Sequence, residues 1–337
     1  AALDLGLNPE FRVLSQPEQI IFLRERIFDL PLQRFRPLGD PTRNLRALCT
    51  LVSRAKDEDV SPAAYRAWAE GRLATAASDE ERDEAEKHIE LAGFYAAHQG
   101  LLAEAGLVDF GDQIHRTLGL LRERPATLAR LRERYRWILV DEFQDTNHAQ
   151  LEMLKLLAGD SVNLTVVGDD DQAIYRWRGA AAANLLAFRR LYSGCREVVL
   201  TENYRSTQVI LDVAARLVSF NNPYRLEAIA GIDKRLRSDR EEGAPVRHLH
   251  HDAVSAEADA VAGEIGERIQ AGARPRDVAI LVRSNDDADP FLRALNVKGI
   301  PHRFSGSRGL YAREEVRLLV SFLRVLANPE DSVSLFY

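Results

Sequence analysis

Residues 137–145 read WILVDEFQD, from Trp137 to Asp145. Trp137, Ile138, Leu139 and Val140 form an unbroken apolar run, and Asp141, Glu142 and Asp145 follow at once. A run of this length suits a strand buried on both faces of a parallel sheet. Open α/β sheets bind ligands beyond the C-terminal ends of their strands. A carboxylate there can hold Mg²⁺ beside a nucleotide, and its neighbour can orient or deprotonate an attacking water. The stretch therefore reads as the acidic, Walker B half of a nucleotide-hydrolysing site.

The complementary half is absent from these 337 residues. A phosphate-binding loop requires G-x-x-x-x-G-K-[ST]. The lysines are Lys56, Lys87, Lys155, Lys234 and Lys298; none follows a glycine, and none precedes a serine or threonine. The sequence starts at Ala1, has Met153 as its only methionine and stops at Tyr337 just after a helical pattern. The expectation is an internal piece of a longer protein.

At this length two or three domains can each bury a core. Hydrophobic residues make up 46% of the chain, which excludes a disordered polymer. Cys49 and Cys195 are too few for a disulfide framework or a cysteine-rich zinc site. No stretch is long and apolar enough for a transmembrane helix and no signal peptide is visible, so a cytoplasmic protein with no membrane partner is expected. The net charge of −6 argues against a protein coated in positive charge. It still permits a local basic groove for nucleic acid. Arginine supplies 40 of the 45 basic residues. Its fork suits phosphates and stacks on bases, although codon bias explains most of such an excess.

Residues 1–120 read as almost wholly helical. Ser15-Gln16-Pro17-Glu18 is a capping box ahead of Ile20, Ile21, Leu23, Ile27 and Phe28. Ser61-Pro62 starts a second helix, Ser78-x-x-Glu81 a third, and Asp109-Phe110-Gly111-Asp112 precedes a helix from Gln113 to Leu121. No strand is expected before Trp137. From there strands and helices alternate: strands at 163–167 and 197–200, helices at 180–191 and 207–218. This is the texture of parallel sheets with crossover helices. Residues 221–244 read as loop. Strands are expected at 246–250, 278–282 and 302–304, with helices at 256–270, 287–297 and 314–326. Asn328-Pro329 ends the last helix.

Three further segments carry chemistry. Gly168-Asp169-Asp170-Asp171-Gln172 follows the next strand, so a parallel sheet would bring it to the same crevice as Asp141 and Glu142. Gln172 could touch a γ-phosphate or the attacking water without adding charge; the plainer reading is an acidic turn. In Tyr175-Arg176-Trp177-Arg178 the aromatics and arginines alternate. Such a pattern serves sequence-tolerant binding of single strands, and equally serves core aromatics with snorkelling arginines. In Asn203-Tyr204-Arg205-Ser206, Ser206 could cap the next helix. Arg205 would then sit at a strand–helix junction, able to reach a γ-phosphate. Tyr204 could stack on a base. Taken alone, the segment is a turn and a cap. The eight histidines form no metal pattern, and His248, His250 and His251 read as strand-end residues.

ILVDEFQDTNHAQ (138–150), VVGDDDQAIYRWRGA (166–180) and LTENYRST (200–207) together resemble motifs II, III and IV of UvrD/Rep/PcrA-type superfamily 1 DNA helicases, in order and spacing. DFGDQI (109–114) resembles the DFxDLL element that precedes motif II, with Gln113 in place of the usual leucine. Residues 305–331 are similar to the motif IVa region, and GLNPEFRVLSQPEQ resembles the start of the helical insert. The resemblance implies an α/β fold of RecA-like (P-loop NTPase) parallel sheets with a helical insert. Residues 1–120 would be the insert of the first lobe, and 121–200 part of that lobe. Residues 201–330 would belong to the second lobe, and 331–337 to the start of its own insert.

The resemblance implies an ATP-dependent helicase stepping 3′ to 5′ on single-stranded DNA, acting in repair or recombination at duplex junctions and with repair proteins as partners. It makes Asp141 the Mg²⁺ ligand, Glu142 the activator of water and Gln172 the γ-phosphate sensor. Arg205 would contact the γ-phosphate and Tyr204 the adenine, while Tyr175, Trp177 and Arg178 would contact DNA bases. The family's Walker A loop and motifs V and VI have no counterpart here, so this piece alone is expected to be inactive on ATP, with an exposed sheet edge in the first lobe. Two rivals remain: the helicase portion of a RecB- or AddA-like helicase–nuclease, and a non-catalytic DNA-binding or protein-interaction module.

Overall fold

Side-chain caps and apolar stripes place the helices of the first 134 residues. The computed structural model describes residues 11–159, 163–174, 183–305, 314–327 and 329. Helix α1 spans Gln16–Arg24, α2 Leu45–Asp57, α3 Pro62–Ala74, α4 Asp79–Glu104, α5 Phe110–Glu123 and α6 Pro125–Arg134. Glu18 accepts the Ser15 N–H at 2.8 Å, and the hydroxyls of Ser61 and Ser78 accept from the N–H groups of Ala64 and Glu81. Each cap satisfies donors that a helix start leaves open. Leu23, Ile27, Leu45, Leu48, Val52, Phe94 and Tyr95 then close a core among α1, α2 and α4.

Two strands do precede Trp137, against expectation. Strand β1 (Arg12–Leu14) pairs in parallel with β2 (Leu107–Asp109), with Val13 opposite Val108. Three residues are too short for a periodicity to show.

The buried stripe of α2 does not end on an apolar residue. Leu45, Leu48, Cys49 and Val52 are followed on the same face by Lys56, whose side chain is 0% exposed. Its Nζ lies 2.6 Å from Asp109 Oδ2 and 3.0 Å from Asp112 Oδ1, both buried. The two aspartates also cap α5 reciprocally: Asp109 Oδ1 accepts the Asp112 N–H at 2.8 Å and Asp112 Oδ2 the Asp109 N–H at 3.1 Å. Gln99 Nε2 donates to Asp112 at 2.9 Å. A buried charge is tolerable only when paired and hydrogen-bonded this completely. His98 lies beside this group, fully buried, with no partner for either ring nitrogen among the described residues.

Strand β3 (Ile138–Val140) pairs in parallel with β4 (Leu164–Val166), Val140 opposite Val166. Helices α7 (His148–Ala158) and α8 (Ala183–Leu191) follow them. Phe143, Leu151 and Phe188 form the core beneath this ladder, with Phe143 and Phe188 edge-to-face at 5.5 Å. The expectation that β3 is buried on both faces is corrected: Val140 packs on that core, but Leu139 is 77% and Trp137 73% exposed. Among the described residues the ladder has these two strands alone, so one face of β3 stays open.

Downstream, β5 (Glu202–Asn203) pairs in parallel with β6 (Arg237–Ser238), and α9 (Gln208–Val218) and α10 (Leu226–Ala230) lie between them. The expected strand at 197–200 does not form, and Val198, Val199 and Leu200 are exposed. The expected loop at 221–244 contains α10 and β6.

The chain divides into residues 1–243 and 244–337. In the second unit α11 (Val254–Gln270) packs on α12 (Asp289–Val297) through Ala258, Ala262, Ile265, Ala294 and Leu295, and α13 is Glu314–Ala327. The strands expected at 246–250, 278–282 and 302–304 are absent. Val278 and Ile280 do turn inward onto this cluster, while Leu281 is exposed. They have the alternation of a strand without a ladder partner among the described residues. No described helix is long and apolar enough to cross a membrane.

His98 sets a pH dependence for the helical region. Burial, then the Lys56 cation, push its pKa from the ordinary 6.5 down to about 4. The unfolded chain takes up the proton near 6.5 and the folded chain holds out to about 4. Unfolding should therefore absorb about one extra proton in that window, and stability should fall as pH falls through it. Urea titrations from pH 7 to 4 should show this loss, and His98→Leu should flatten it.

Candidate functional site

The site grows from the register of β3 and β4. Because Val140 and Val166 are level, the segments after them leave the ladder side by side. The Val167 N–H donates to Val140 O at 2.8 Å and the Phe143 N–H to Val167 O at 2.9 Å. Asp141 and Glu142 emerge there, both exposed. The Glu142 N–H donates to Asp141 Oδ1 at 3.0 Å. Glu142 has φ 49° and ψ 43°, a left-handed conformation that side chains other than glycine rarely take.

Gln144 ties the two strand ends together. Its side chain is buried; its Nε2 donates to Glu142 Oε2 at 2.6 Å, and its Oε1 accepts the Asp169 N–H at 3.0 Å. Gly168 makes room for this bridge. A Cβ on Gly168 would lie 2.8 Å from Gln144 Oε1 and 3.3 Å from the Gln144 backbone nitrogen. Asp169 Oδ2 then accepts from Gln172 Nε2 at 2.9 Å. Glu142 and Gln172, read separately from two segments, are thus joined through Gln144 and Asp169. Asp145, beside them, has its pKa raised by burial and by the charge of Glu142.

Asp169, Asp170 and Asp171 are held by two cations from the segment read as loop. Lys234 Nζ lies 2.5, 2.6 and 3.0 Å from one oxygen of each aspartate. Arg225 grips Asp171 with two parallel bonds of 2.6 and 2.7 Å. The Leu226 N–H donates to Asp170 Oδ2 at 2.6 Å. Burial raises Asp171, but the hydrogen bonds from Arg225 and Lys234 outweigh it and hold the carboxyl below its ordinary range.

Tyr204 and Arg205 lie on an exposed turn between β5 and α9. Asn203 Oδ1 accepts the N–H groups of Arg205 and Ser206 at 3.1 and 2.8 Å. Ser206 does not cap α9; Thr207 holds the N-cap position. The Tyr204 hydroxyl donates to Glu202. Among the described residues no hydrogen bond or ion pair joins Arg205 directly to Asp141, Glu142 or Gln172. The link is indirect: Lys234 precedes β6, and β6 pairs with the strand that delivers Arg205. Tyr175, Trp177 and Arg178 lie outside the described residues.

Sequence reasoning missed Gln144, Lys234 and Arg225. Gln144 stood inside the quoted stretch, a neutral residue among acids. Lys234 was legible only as a rare lysine in an arginine-rich chain. Arg225 had no signal of its own. Asp141 and Glu142, exposed carboxylates at the end of a parallel strand, suit a hard divalent cation beside a nucleotide.

Comparisons with known proteins show the family. The UvrD/REP helicase N-terminal domain matches residues 1–193, and the UvrD-like helicase C-terminal domain matches residues 198–337. ATP-dependent DNA helicase Rep of Salmonella typhimurium is 34% identical over 328 residues, covering 97% of this chain and 44% of the relative. DNA helicase II of Haemophilus influenzae is 32% identical over 98% of this chain and 42% of its own length. ATP-dependent DNA helicase PcrA of Bacillus subtilis is 31% identical over 98% and 41%. The chain thus spans less than half the length of these relatives. The two matched domains together cover nearly the whole chain and imply a RecA-like P-loop fold, with which the small parallel ladders are consistent, and the chain belongs to the UvrD/Rep helicase family.

Proposed function

We propose that this chain is the central portion of an ATP-dependent DNA helicase that moves 3′ to 5′ on single-stranded DNA and acts in repair or recombination. One observation carries the reading: the hydrogen-bonded path Glu142–Gln144–Asp169–Gln172 across the ends of two parallel strands. It makes one unit of a carboxylate that can take a proton and an amide that can sense a phosphate. Residues 1–120 serve as the helical insert of the first lobe, 121–200 as part of that lobe, 201–330 as part of the second, and 331–337 as the start of its insert.

In this reading Glu142 orients the attacking water and accepts its proton as the bond between the β- and γ-phosphates of ATP breaks. Gln144 fixes that carboxylate by its 2.6 Å bond. Asp141 holds Mg²⁺, which neutralises phosphate charge when bound. Gln172 donates to the γ-phosphate through the second N–H of its amide, the first being held by Asp169. Arg205 offsets the transition-state charge from the second domain, and Tyr204 stacks on the adenine. Tyr175, Trp177 and Arg178 contact bases of the strand and pass that contact to Gln172, which precedes them in the same segment.

Glu142→Gln in the full-length helicase should cut DNA-stimulated ATP turnover by about 10²–10⁴-fold while ATP still binds; near-normal turnover removes Glu142 from the chemistry. Trp177→Ala should weaken binding to a poly-dT strand by about 1–3 kcal/mol, read by fluorescence anisotropy, and unchanged affinity returns Trp177 to the core. The 337 residues by themselves should release no phosphate from ATP above buffer, because no lysine follows a glycine and Lys234 is engaged by three carboxylates. A malachite-green assay on the isolated chain checks this.

A further inference from the structure

Three consecutive carboxylates whose oxygens lie within 4.8 Å of one another repel strongly unless a cation sits among them. Here that cation is the Lys234 ammonium, whose side chain is 17% exposed and bonded to Asp169, Asp170 and Asp171 alike. The position a metal ion would take is filled by the chain itself. Burial alone would favour losing the proton, but the three hydrogen bonds prevail and keep Lys234 charged. Arg225, 10% exposed, completes the neutralisation through Asp171 and also pairs with Glu227 at 2.7 Å.

The placement of these groups matters more than their number. The aspartates belong to the segment matched by the N-terminal helicase domain, while Arg225 and Lys234 belong to the C-terminal one. Asp169 uses one oxygen for Lys234 and the other for Gln172. Three residues beyond Lys234, β6 pairs with β5, and Arg205 follows β5 by two residues. Lys234 therefore stands between the two groups assigned to the γ-phosphate, touching the carboxylate that orients one and leading into the ladder that carries the other.

We propose that Lys234, backed by Arg225, is a positioning residue for ATP hydrolysis: an ionic latch between the two helicase domains that fixes Gln172 through Asp169 and sets it relative to Arg205. The latch rests on the helicase reading above. It acts on the geometry of the hydrolytic step rather than on nucleotide affinity. A compact ammonium donates to three carboxylates at once, and a guanidinium in its place would keep the charge and part of the hydrogen bonding.

The test is DNA-stimulated ATPase kinetics of the full-length helicase with Lys234→Met, Lys234→Arg and Glu142→Gln, each rate normalised to the folded fraction from circular dichroism. Lys234→Met should lower kcat by about 5–150-fold, the usual span of a coupling between sites, with KM for ATP within about twofold. Lys234→Arg should recover a large part of the loss, since the charge remains. A Lys234→Met enzyme with unchanged normalised kcat, or one whose loss appears in KM alone, overturns the latch. So does a loss in Lys234→Met that Lys234→Arg does not relieve. In each case abolished turnover in Glu142→Gln leaves the hydrolytic reading standing. Persisting turnover in Glu142→Gln instead overturns that reading, and the latch with it.

Discussion

The register of β3 against β4 governs the site. Val140 opposite Val166 puts the first residues beyond both strands at one level, and Gln144 then spans the gap between them. A slip of one residue would turn every side chain of a strand to the opposite face. Glu142 and Asp169 would no longer meet the two ends of one amide. The tolerance is small on the other side too, because Gly168 already brings its backbone within contact distance of Gln144. Two strands of three residues therefore set the position of four side chains of the candidate site, and the Phe143–Phe188 core lies beneath them.

Lysine and arginine divide the electrostatic work. Several arginines form exposed pairs, such as Arg66 with Glu70 or Arg274 with Asp277, which contribute little to stability. Two of the five lysines instead sit at the centre of aspartate clusters: Lys56 between Asp109 and Asp112, and Lys234 among Asp169, Asp170 and Asp171. Both clusters join segments far apart in sequence. Asp109 and Asp112 are buried, so removing Lys56 would leave their charge in a low-dielectric setting with its nearest cation gone.

Much of this was legible along the chain and some was not, for definite reasons. The helices after Ser15, Ser61 and Ser78 begin where their caps place them, because capping is a local interaction. Asp109 and Asp112 were read as preceding a helix from Gln113, which in fact starts at Phe110, and not as the partners of Lys56. The clue was Lys56 itself, continuing the stripe of Leu45, Leu48, Cys49 and Val52 on the buried face of α2. Strands were harder. Residues 197–200 and 246–250 have the composition of strands, yet a ladder needs a neighbour that composition does not supply. The crevice between Glu142 and Gln172 was legible because parallel strands share their C-terminal side. The hold of Arg225 and Lys234 on the acidic loop was not, since it joins residues 54 to 65 positions apart through a stretch with no periodicity.

Glu142 adopts φ 49°, where a Cβ crowds the backbone and glycine would rest more easily. Replacing Glu142 by glycine would relax the turn but would also remove the carboxylate that Gln144 holds at 2.6 Å. The left-handed turn is therefore a local cost set against the tie between the two strand ends, and a substitution there trades backbone ease for the loss of that tie.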